Sequence, residues 1–446
     1  MKQQVNSIIE ARWLFPGIPS QVLLEHHAVV INADKIVDIC PISDAVNQYQ
    51  ADEIIALTEH VLIPGFINLH THAAMSLMRG LADGVELSDW LKHHIWPAEA
   101  QLVSPEFVYD GTLLAAAEML SGGITTFNDM YFYPDQTANA SIKMGIRANI
   151  GLVVIEFPTQ YANDADDYIK KGLDARDCSR NQSLITFSFA PHAPYTVSNN
   201  TFMRVATLAN QVNITIHTHL HETQVEIAES ESQFGLRPLS RLANMDLLGP
   251  HMTFAHGVYM NNIEMQMLAE YGCHIAHCPS SNLKLASGIA PIQRYLQHGV
   301  NIGLGTDGAA SNNRLDIFSE MRLAALLAKG QSGDATSLPA FQALEMATIN
   351  GARALGLDDK IGSIEIGKSA DLTAVSLSDI NMHPYFDPIS HLVYVAGREQ
   401  VSHVWVEGVL RYHKPADTAG VFSGIEPREL EEILSKWQPK VSQFRL

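Results

Sequence analysis

The stretch that decides the fold is Pro64-Gly65-Phe66-Ile67-Asn68-Leu69-His70-Thr71-His72. An apolar run ends there in two histidines spaced i, i+2. Side chains alternate along a β-strand with period two, so both imidazoles leave the same side. Imidazoles held that way can bind one divalent metal if other strands supply the remaining ligands. Later strand-like runs end in suitable groups: His219 in Thr218-His219-Leu220-His221-Glu222, His256 in Phe254-Ala255-His256, and Asp307 in Gly305-Thr306-Asp307-Gly308. A lone H-x-H says little. Four such strand ends in one chain point to a shared metal centre.

Outward from this stretch, strand-like and helix-like runs alternate. The strands are expected at 62–70, 124–130, 147–157, 184–190, 213–220, 252–256, 273–278 and 300–306, each apolar and bounded by Gly, Pro or Asn. Helical patterns at Pro105–Leu120, Asn199–Gln211 and Ile263–Tyr271 lie between them, and Ile317–Ala328 follows the last. Eight βα units in series predict an α/β chain with a TIM-like (β/α)8 barrel over residues 62–362. The flanks, 1–61 and 363–446, carry short β-like pieces such as Val29-Val30-Ile31 and His403-Val404-Trp405-Val406. They predict one small β-sandwich built from both termini, closed by an amphipathic helix over Glu426–Trp437.

Composition narrows the function. The net charge of −19, from 29 basic and 48 acidic residues with no basic patch, argues against nucleic acid as a partner. Cys40, Cys178, Cys273 and Cys278 form no C-x-x-C pair and no disulfide framework, as expected of a reducing compartment. Met1-Lys2-Gln3-Gln4-Val5-Asn6 lacks the apolar core of a signal peptide, and no window approaches the ~18 apolar residues of a membrane span. A cytoplasmic protein without a membrane partner is expected. Cys273-His274-Ile275-Ala276-His277-Cys278 superficially resembles a zinc knuckle, but its residues alternate along a strand. It reads as core, with His277 available to support the site from behind. The H-x-E and P-C-x-x-C signature of cytidine-type zinc deaminases is absent.

A barrel with ligands at the C-terminal ends of its strands resembles the amidohydrolase superfamily, and the resemblance covers nearly the whole chain. It implies one metal, usually zinc, held by the residues matching His70, His72, His219 and Asp307, with Glu222 and His256 as catalytic partners. Periodicity places His217, His219 and His221 on one side of their strand. The resemblance selects His219, which leaves Glu222 at H-x-x-E spacing, and His217 reads as barrel interior. Binuclear relatives use a modified lysine at the end of the fourth strand, and Ile185-Thr186-Phe187-Ser188-Phe189-Ala190-Pro191-His192 has none, which favours one metal per subunit. Iron and manganese also suit these ligands. Asp307 can ligate the metal and take a proton from the attacking water. Glu222 is placed to protonate a ring nitrogen, and His256 to orient the water and stabilise the tetrahedral adduct. The outcome is hydrolytic deamination of an amino-substituted ring.

Beyond His72 the loops continue Ala73-Ala74-Met75-Ser76-Leu77-Met78-Arg79-Gly80, then Trp90-Leu91 and Ile95-Trp96-Pro97-Ala98-Glu99. With Ala190-Pro191-His192-Ala193-Pro194-Tyr195, Ser280-Ser281-Asn282-Leu283-Lys284 and Ala309-Ala310-Ser311-Asn312-Asn313, they resemble the 5-methylthioadenosine/S-adenosylhomocysteine deaminases. That resemblance implies a purine nucleoside substrate. Glu99 would bind the ribose hydroxyls, since one carboxylate accepts two hydrogen bonds from a vicinal diol. His192 would contact purine or ribose, Trp90 would cover the substrate in a lid, and Ser311 would line the site. The apolar run Leu152-Val153-Val154-Ile155 ahead of Phe157-Pro158 ranks methylthioadenosine above S-adenosylhomocysteine, with adenosine also in range. Arg237 is the best-placed cation for a homocysteine carboxylate. An alternative is another amino-substituted ring, guanine, an aminopyrimidine or an s-triazine, which would leave Glu99 without its diol. A non-catalytic nucleoside-binding scaffold would be expected to lose a ligand or Glu222, and all are present. A homo-oligomer is compatible with the sequence.

Overall fold

The computed structural model describes residues 2–19, 21–415 and 418–445. The chain begins with β1 (Gln3–Leu14), β2 (Leu24–Asn32), β3 (Lys35–Pro41) and β4 (Tyr49–Pro64). It then runs through β5 (Phe66–Thr71), β6 (Ile124–Tyr131), β7 (Arg147–Val154), β8 (Ile185–Pro191), β9 (Thr215–Leu220), β10 (Met252–His256), β11 (His274–His277) and β12 (Asn301–Leu304). It ends with β13 (Leu372–Ser376), β14 (Val401–Val406), β15 (Val409–His413) and β16 (Val421–Phe422). The middle eight are parallel neighbours in chain order, the nearly closed barrel that the βα alternation predicts. The outer eight join as one mixed sheet in the order β16-β15-β14-β13-β4-β1-β2-β3, so both termini build it together.

Local sequence explains the flanking sheet. Along β2, Val29 and Ile31 enter one apolar cluster while Ala28 and Val30 enter another. The unbroken apolar run is therefore a strand buried on both faces. Helices fall at Pro105–Ser121, Asn199–Val212, Asn262–Tyr271 and Ile317–Ser332, where the 3.6-residue pattern places them. Their N-termini are capped by Ser104, Ser198, Asn261 and Asp316, each side chain accepting a first-turn N–H. The terminal helix Pro427–Val441 buries Trp437, whose indole N–H donates to Asp110 Oδ2 at 2.7 Å. Among the described residues, no helix is long and apolar enough to cross a membrane.

The expected strand 62–70 proves to be two. Residues 62–64 finish β4, and the chain changes sheets at Gly65. Gly65 N–H donates to Asp371 O in the flanking sheet, while the next residue, Phe66, donates to Gly123 O beside the barrel, both at 2.9 Å. A Cβ on Gly65 would sit 2.1 Å from Thr125 Oγ1, so only glycine fits.

Two contacts fix the site that follows. At the seam between β12 and β5, Thr306 N–H donates to Asn68 Oδ1 and Asp307 N–H to His70 O, both at 2.9 Å. The seam thus sets Asp307 beside the first histidine. Arg147, at the start of β7, is 1% exposed and clamps the barrel to the flanking sheet. Its Nε donates to Asp371 Oδ2 at 2.9 Å and its Nη2 lies 3.4 Å from Glu407. Removing one partner of a buried pair leaves an uncompensated charge, at a cost of about 3–5 kcal/mol. Arg147→Ala is expected to lower the urea midpoint accordingly, and an unchanged midpoint would show that the clamp contributes nothing.

Candidate metal centre and active site

Strand ends converge at one mouth of the barrel. His70 and His72 Nε2 lie 3.4 and 3.2 Å from Asp307 Oδ1. The His70 ring is 4.9 Å from His219 and 5.5 Å from His256, centroid to centroid. Donor atoms of His70, His72 and His219 all lie within 4.8 Å of one another, as do those of His70, His256 and Asp307. Close approach is possible because residue 305 is glycine: a Cβ there would meet the His70 backbone at 2.9 Å. His221, His256 and Asp307 adopt left-handed backbone (φ 54°, 73° and 61°); His221 follows directly on β9, His256 ends β10 and Asp307 lies three residues beyond β12. Such conformations in non-glycine residues gather at functional sites.

These groups fit a divalent cation. His72 Nδ1 donates to Met130 O at 2.6 Å and His219 Nδ1 to His192 O at 2.7 Å, which leaves both Nε2 atoms able to hold a cation. His70 Nε2 is buried and finds no hydrogen-bond partner among the described residues. Burial pushes His70 down to about 4 and His192 to about 3, and lowers His217 and His219 as well. Burial alone would raise Asp307, yet the His70 and His72 imidazoles beside it hold it well below the usual carboxylate range. Against burial, Asp307 draws His72 up to about 9. The cluster calls for positive charge at its centre, as a metal site does.

His217 takes the role expected of a barrel-interior residue. Its Nε2 shares a 3.1 Å hydrogen bond with His70 Nδ1, and Asn128 Nδ2 donates to its Nδ1 at 3.1 Å. His221 is turned away, accepting from Leu239 N–H at 3.1 Å. Cys273 and Cys278 are buried free thiols outside the ligand sets, and the ring nitrogens of His277 are buried without a partner among the described residues.

The other reactive groups surround a cavity of about 430 Å³. Glu222 and His256 face each other, Oε2 to Nε2, at 3.8 Å. Burial raises the Glu222 carboxyl, partly offset by His256. Glu226 pins the turn that carries it, accepting from the N–H groups of His221 and Glu222. Glu99 lines the same cavity and accepts from Tyr131 Oη at 2.7 Å. Its helix, Trp96–Leu102, follows a π-helical turn over Trp90–Ile95. Pro97 has no N–H to continue a regular ladder, and π-turns of this kind concentrate at functional sites. Trp90, His192 and Ser311 also line the cavity, His192 braced by Thr196 Oγ1 at 3.0 Å.

Two findings depart from the sequence reading. Arg237 does not line the cavity. Its Nε and Nη2 form a fork on Glu264 at 2.7 and 2.9 Å, and Nη2 also donates to Tyr259 O, so a structural ion pair consumes its charge. Tyr131 is not among the site residues expected from sequence, although it ends a barrel strand, β6, as other site residues do.

The comparisons with known proteins agree with this geometry. The model of the amidohydrolase family matches residues 61–411. The chain belongs to the amidohydrolase family. It is 47% identical to a 5-methylthioadenosine/S-adenosylhomocysteine deaminase of Saccharophagus degradans, covering 100% of this chain and 98% of the relative. It is 41% identical to a 5′-deoxyadenosine deaminase of Methanothermobacter thermautotrophicus, over 85% and 88% of the two chains. Among solved structures, a zinc-bound adenosine deaminase from Xanthomonas campestris superposes with a TM-score of 0.97 at 42% identity, over 99% and 100% of the chains.

The ligand assignment can be separated from the barrel-interior one. His219→Ala is expected to abolish stoichiometric metal binding. His217→Gln should keep the metal but bind it about 10–100-fold more weakly, as loss of an orienting partner does. Metal analysis of dialysed protein decides, and equal retention by both variants would refute the assignment.

Proposed function

We propose that this amidohydrolase replaces the 6-amino group of adenosine nucleosides bearing an apolar 5′ substituent by oxygen, releasing ammonia. In this reading methylthioadenosine and 5′-deoxyadenosine are the favoured class. One zinc ion per chain would be held by His70, His72, His219 and Asp307. When bound, the cation supplies Lewis acidity and lowers the pKa of water toward neutrality. The observation that carries the reading is one cavity lined by Glu222, His256, Asp307 and Glu99 together, with no lysine or arginine in its lining among the described residues.

The residues divide the chemistry. Asp307 takes a proton as water attacks C6 of the purine. Glu222 gives its proton to N1, so the electron pair of the C6–N1 bond has a place to go. His256 faces Glu222 and holds the incoming oxygen. As the adduct collapses, Asp307 passes its proton to the departing amine, the C6–N6 bond breaks, and the proton left on oxygen returns to Glu222. Glu99 binds the ribose diol with one oxygen already fixed by Tyr131. Val153, Ile155, Phe157 and Trp96 offer the 5′ end an apolar wall, the last two with ring centroids 5.9 Å apart. A homocysteine tail would bring a carboxylate into a cavity that offers it the carboxyl groups of Glu99, Glu222 and Asp307 and, among the described residues, no lysine or arginine partner. Burying an unpaired charge costs several kcal/mol.

A turnover panel tests this reading. Methylthioadenosine is expected to exceed S-adenosylhomocysteine, guanine and an aminotriazine by at least about 100-fold in kcat/KM, equivalent to about 2.7 kcal/mol. Glu222→Gln should lower kcat by about 100- to 10,000-fold and keep its metal. Preference for guanine or the triazine, or an active Glu222→Gln, would defeat the proposal.

Glu99 gives a second test through pH. Burial pushes its carboxyl up to about 7, against the opposing hydrogen bond from Tyr131. Only the ionised form accepts from both ribose hydroxyls, so affinity is full above that pH and lost below it. KM for methylthioadenosine should rise about tenfold per pH unit on the acid side, and Glu99→Gln should flatten the profile. A KM in the native enzyme that ignores pH would remove Glu99 from ribose binding.

A further inference from the structure

The three acid–base groups come from three strands, yet one short segment touches all of them. Helix Pro279–Lys284 and the turn after it run directly from the end of β11. Ser281 Oγ donates to Asp307 Oδ2 at 2.6 Å. His256 Nδ1 donates to Asn282 Oδ1 at 2.8 Å. Ser287 Oγ donates to Glu222 Oε1 at 3.1 Å. All three side chains are at most 3% exposed, so water does not compete for these bonds.

Each contact also selects an atom. Ser281 occupies Oδ2 of Asp307, while Oδ1, which accepts from Gly308 N–H at 2.7 Å, faces His70 and His72. Asn282 occupies Nδ1 of His256, which leaves Nε2 facing Glu222. Ser287 occupies Oε1 of Glu222, which leaves Oε2 facing His256. The segment is itself tied down. Ser287 N–H donates to Asn282 O at 2.8 Å, closing the turn. Ser280 N–H donates to Glu320 at 3.0 Å. Lys284 Nζ reaches Ala310 O and Asn313 Oδ1 in the loop beyond Asp307, and pairs with Asp83 at 2.6 Å.

We infer that Ser281–Ser287 is the positioning element of the reaction, with Ser287 the residue that orients the proton-donating carboxyl of Glu222 and Ser281 the one that orients Asp307 toward the cation. The inference rests on the roles proposed above for Glu222, His256 and Asp307. Ser281, Asn282 and Ser287 do not line the cavity. They fix which oxygen or nitrogen of each reactive group meets the substrate, and misaiming a reacting atom by about 1 Å can cost about 100-fold in rate.

Two variants separate positioning from packing. Ser287→Ala is expected to lower kcat for methylthioadenosine about 10- to 100-fold, with KM, Tm and bound zinc unchanged. In a Glu222→Gln background the same substitution should have no further effect, because the group it orients no longer donates a proton. Ser281→Ala should show the opposite split, its zinc affinity falling about 10–100-fold as loss of an orienting partner predicts. A Ser287→Ala enzyme with native kcat, or one whose loss adds in full to that of Glu222→Gln, overturns the inference. A Ser281→Ala protein that binds zinc as tightly as the native chain overturns it too. A fully active Glu222→Gln enzyme would instead refute the functional reading beneath it.

Discussion

The structure depends on an ionised carboxylate, Asp307, held between two histidines where water is scarce. Asp307 is 5% exposed and His70 fully buried. An isolated carboxylate in such a place would keep its proton, and isolated imidazoles would lose theirs. Asp307 resists because His70 and His72 stand within 3.4 Å of one of its oxygens. The backbone makes that meeting obligatory. Asp307 N–H to His70 O is part of the barrel seam, so closing the sheet and assembling the centre are one event. Gly305 permits the approach, and the left-handed φ at Asp307 turns the side chain inward.

Much of this was legible because it follows local periodicity. The eight barrel strands fall where apolar runs end in Gly, Pro or Asn, and the H-x-H spacing puts two imidazoles on one side of β5 without further information. What the sequence left open are the long-range partnerships. Periodicity alone could not choose among His217, His219 and His221, because alternation treats them alike; the choice lies in what each ring's second nitrogen finds. His219 finds the His192 carbonyl, His217 the Nδ1 of His70, and His221 the Leu239 N–H. Arg237 looked free in sequence because Glu264, its partner, lies 27 residues away on another helix. The expected strand over 62–70 hid a change of sheets, since a glycine that must avoid Thr125 looks the same in sequence as one in any strand.

The cavity joins two environments that would work against each other if mixed. Near the cluster the reactive side chains are each held by a partner, Asp307 by Ser281, His256 by Asn282 and Glu222 by Ser287, which suits a reaction that moves protons between fixed atoms. Along the outer wall Val153, Ile155, Phe157 and Trp96 supply area without direction. Such a wall contributes affinity in proportion to apolar surface buried, about 25 cal/mol per Å², and does not dictate orientation. Orientation must then come from the ribose. Glu99 sits between the two regions, and Tyr131 fixes one of its oxygens. A substrate lacking the diol could fill the wall and still leave its ring unregistered against Glu222.

That division gives a reason for the proposed ribose contact to be a carboxylate on a helix that switches from π to α geometry rather than a group on a barrel strand. Strand ends fix the atoms that react, and they must not move. The helix Trp96–Leu102 is reached through the π-helical Trp90–Ile95 turn and is not part of the barrel sheet. Tyr131 Oη donates to its Glu99, Gln160 Nε2 donates to its Ala100 O at 3.0 Å, and its Trp96 packs near Phe157. Burial keeps the Glu99 carboxyl easily protonated while the cavity is empty. Two hydroxyl donors from a ribose favour its ionised form, so diol binding and charge on Glu99 reinforce each other. A nucleoside therefore completes the site electrostatically, and a bare amino-substituted ring does not.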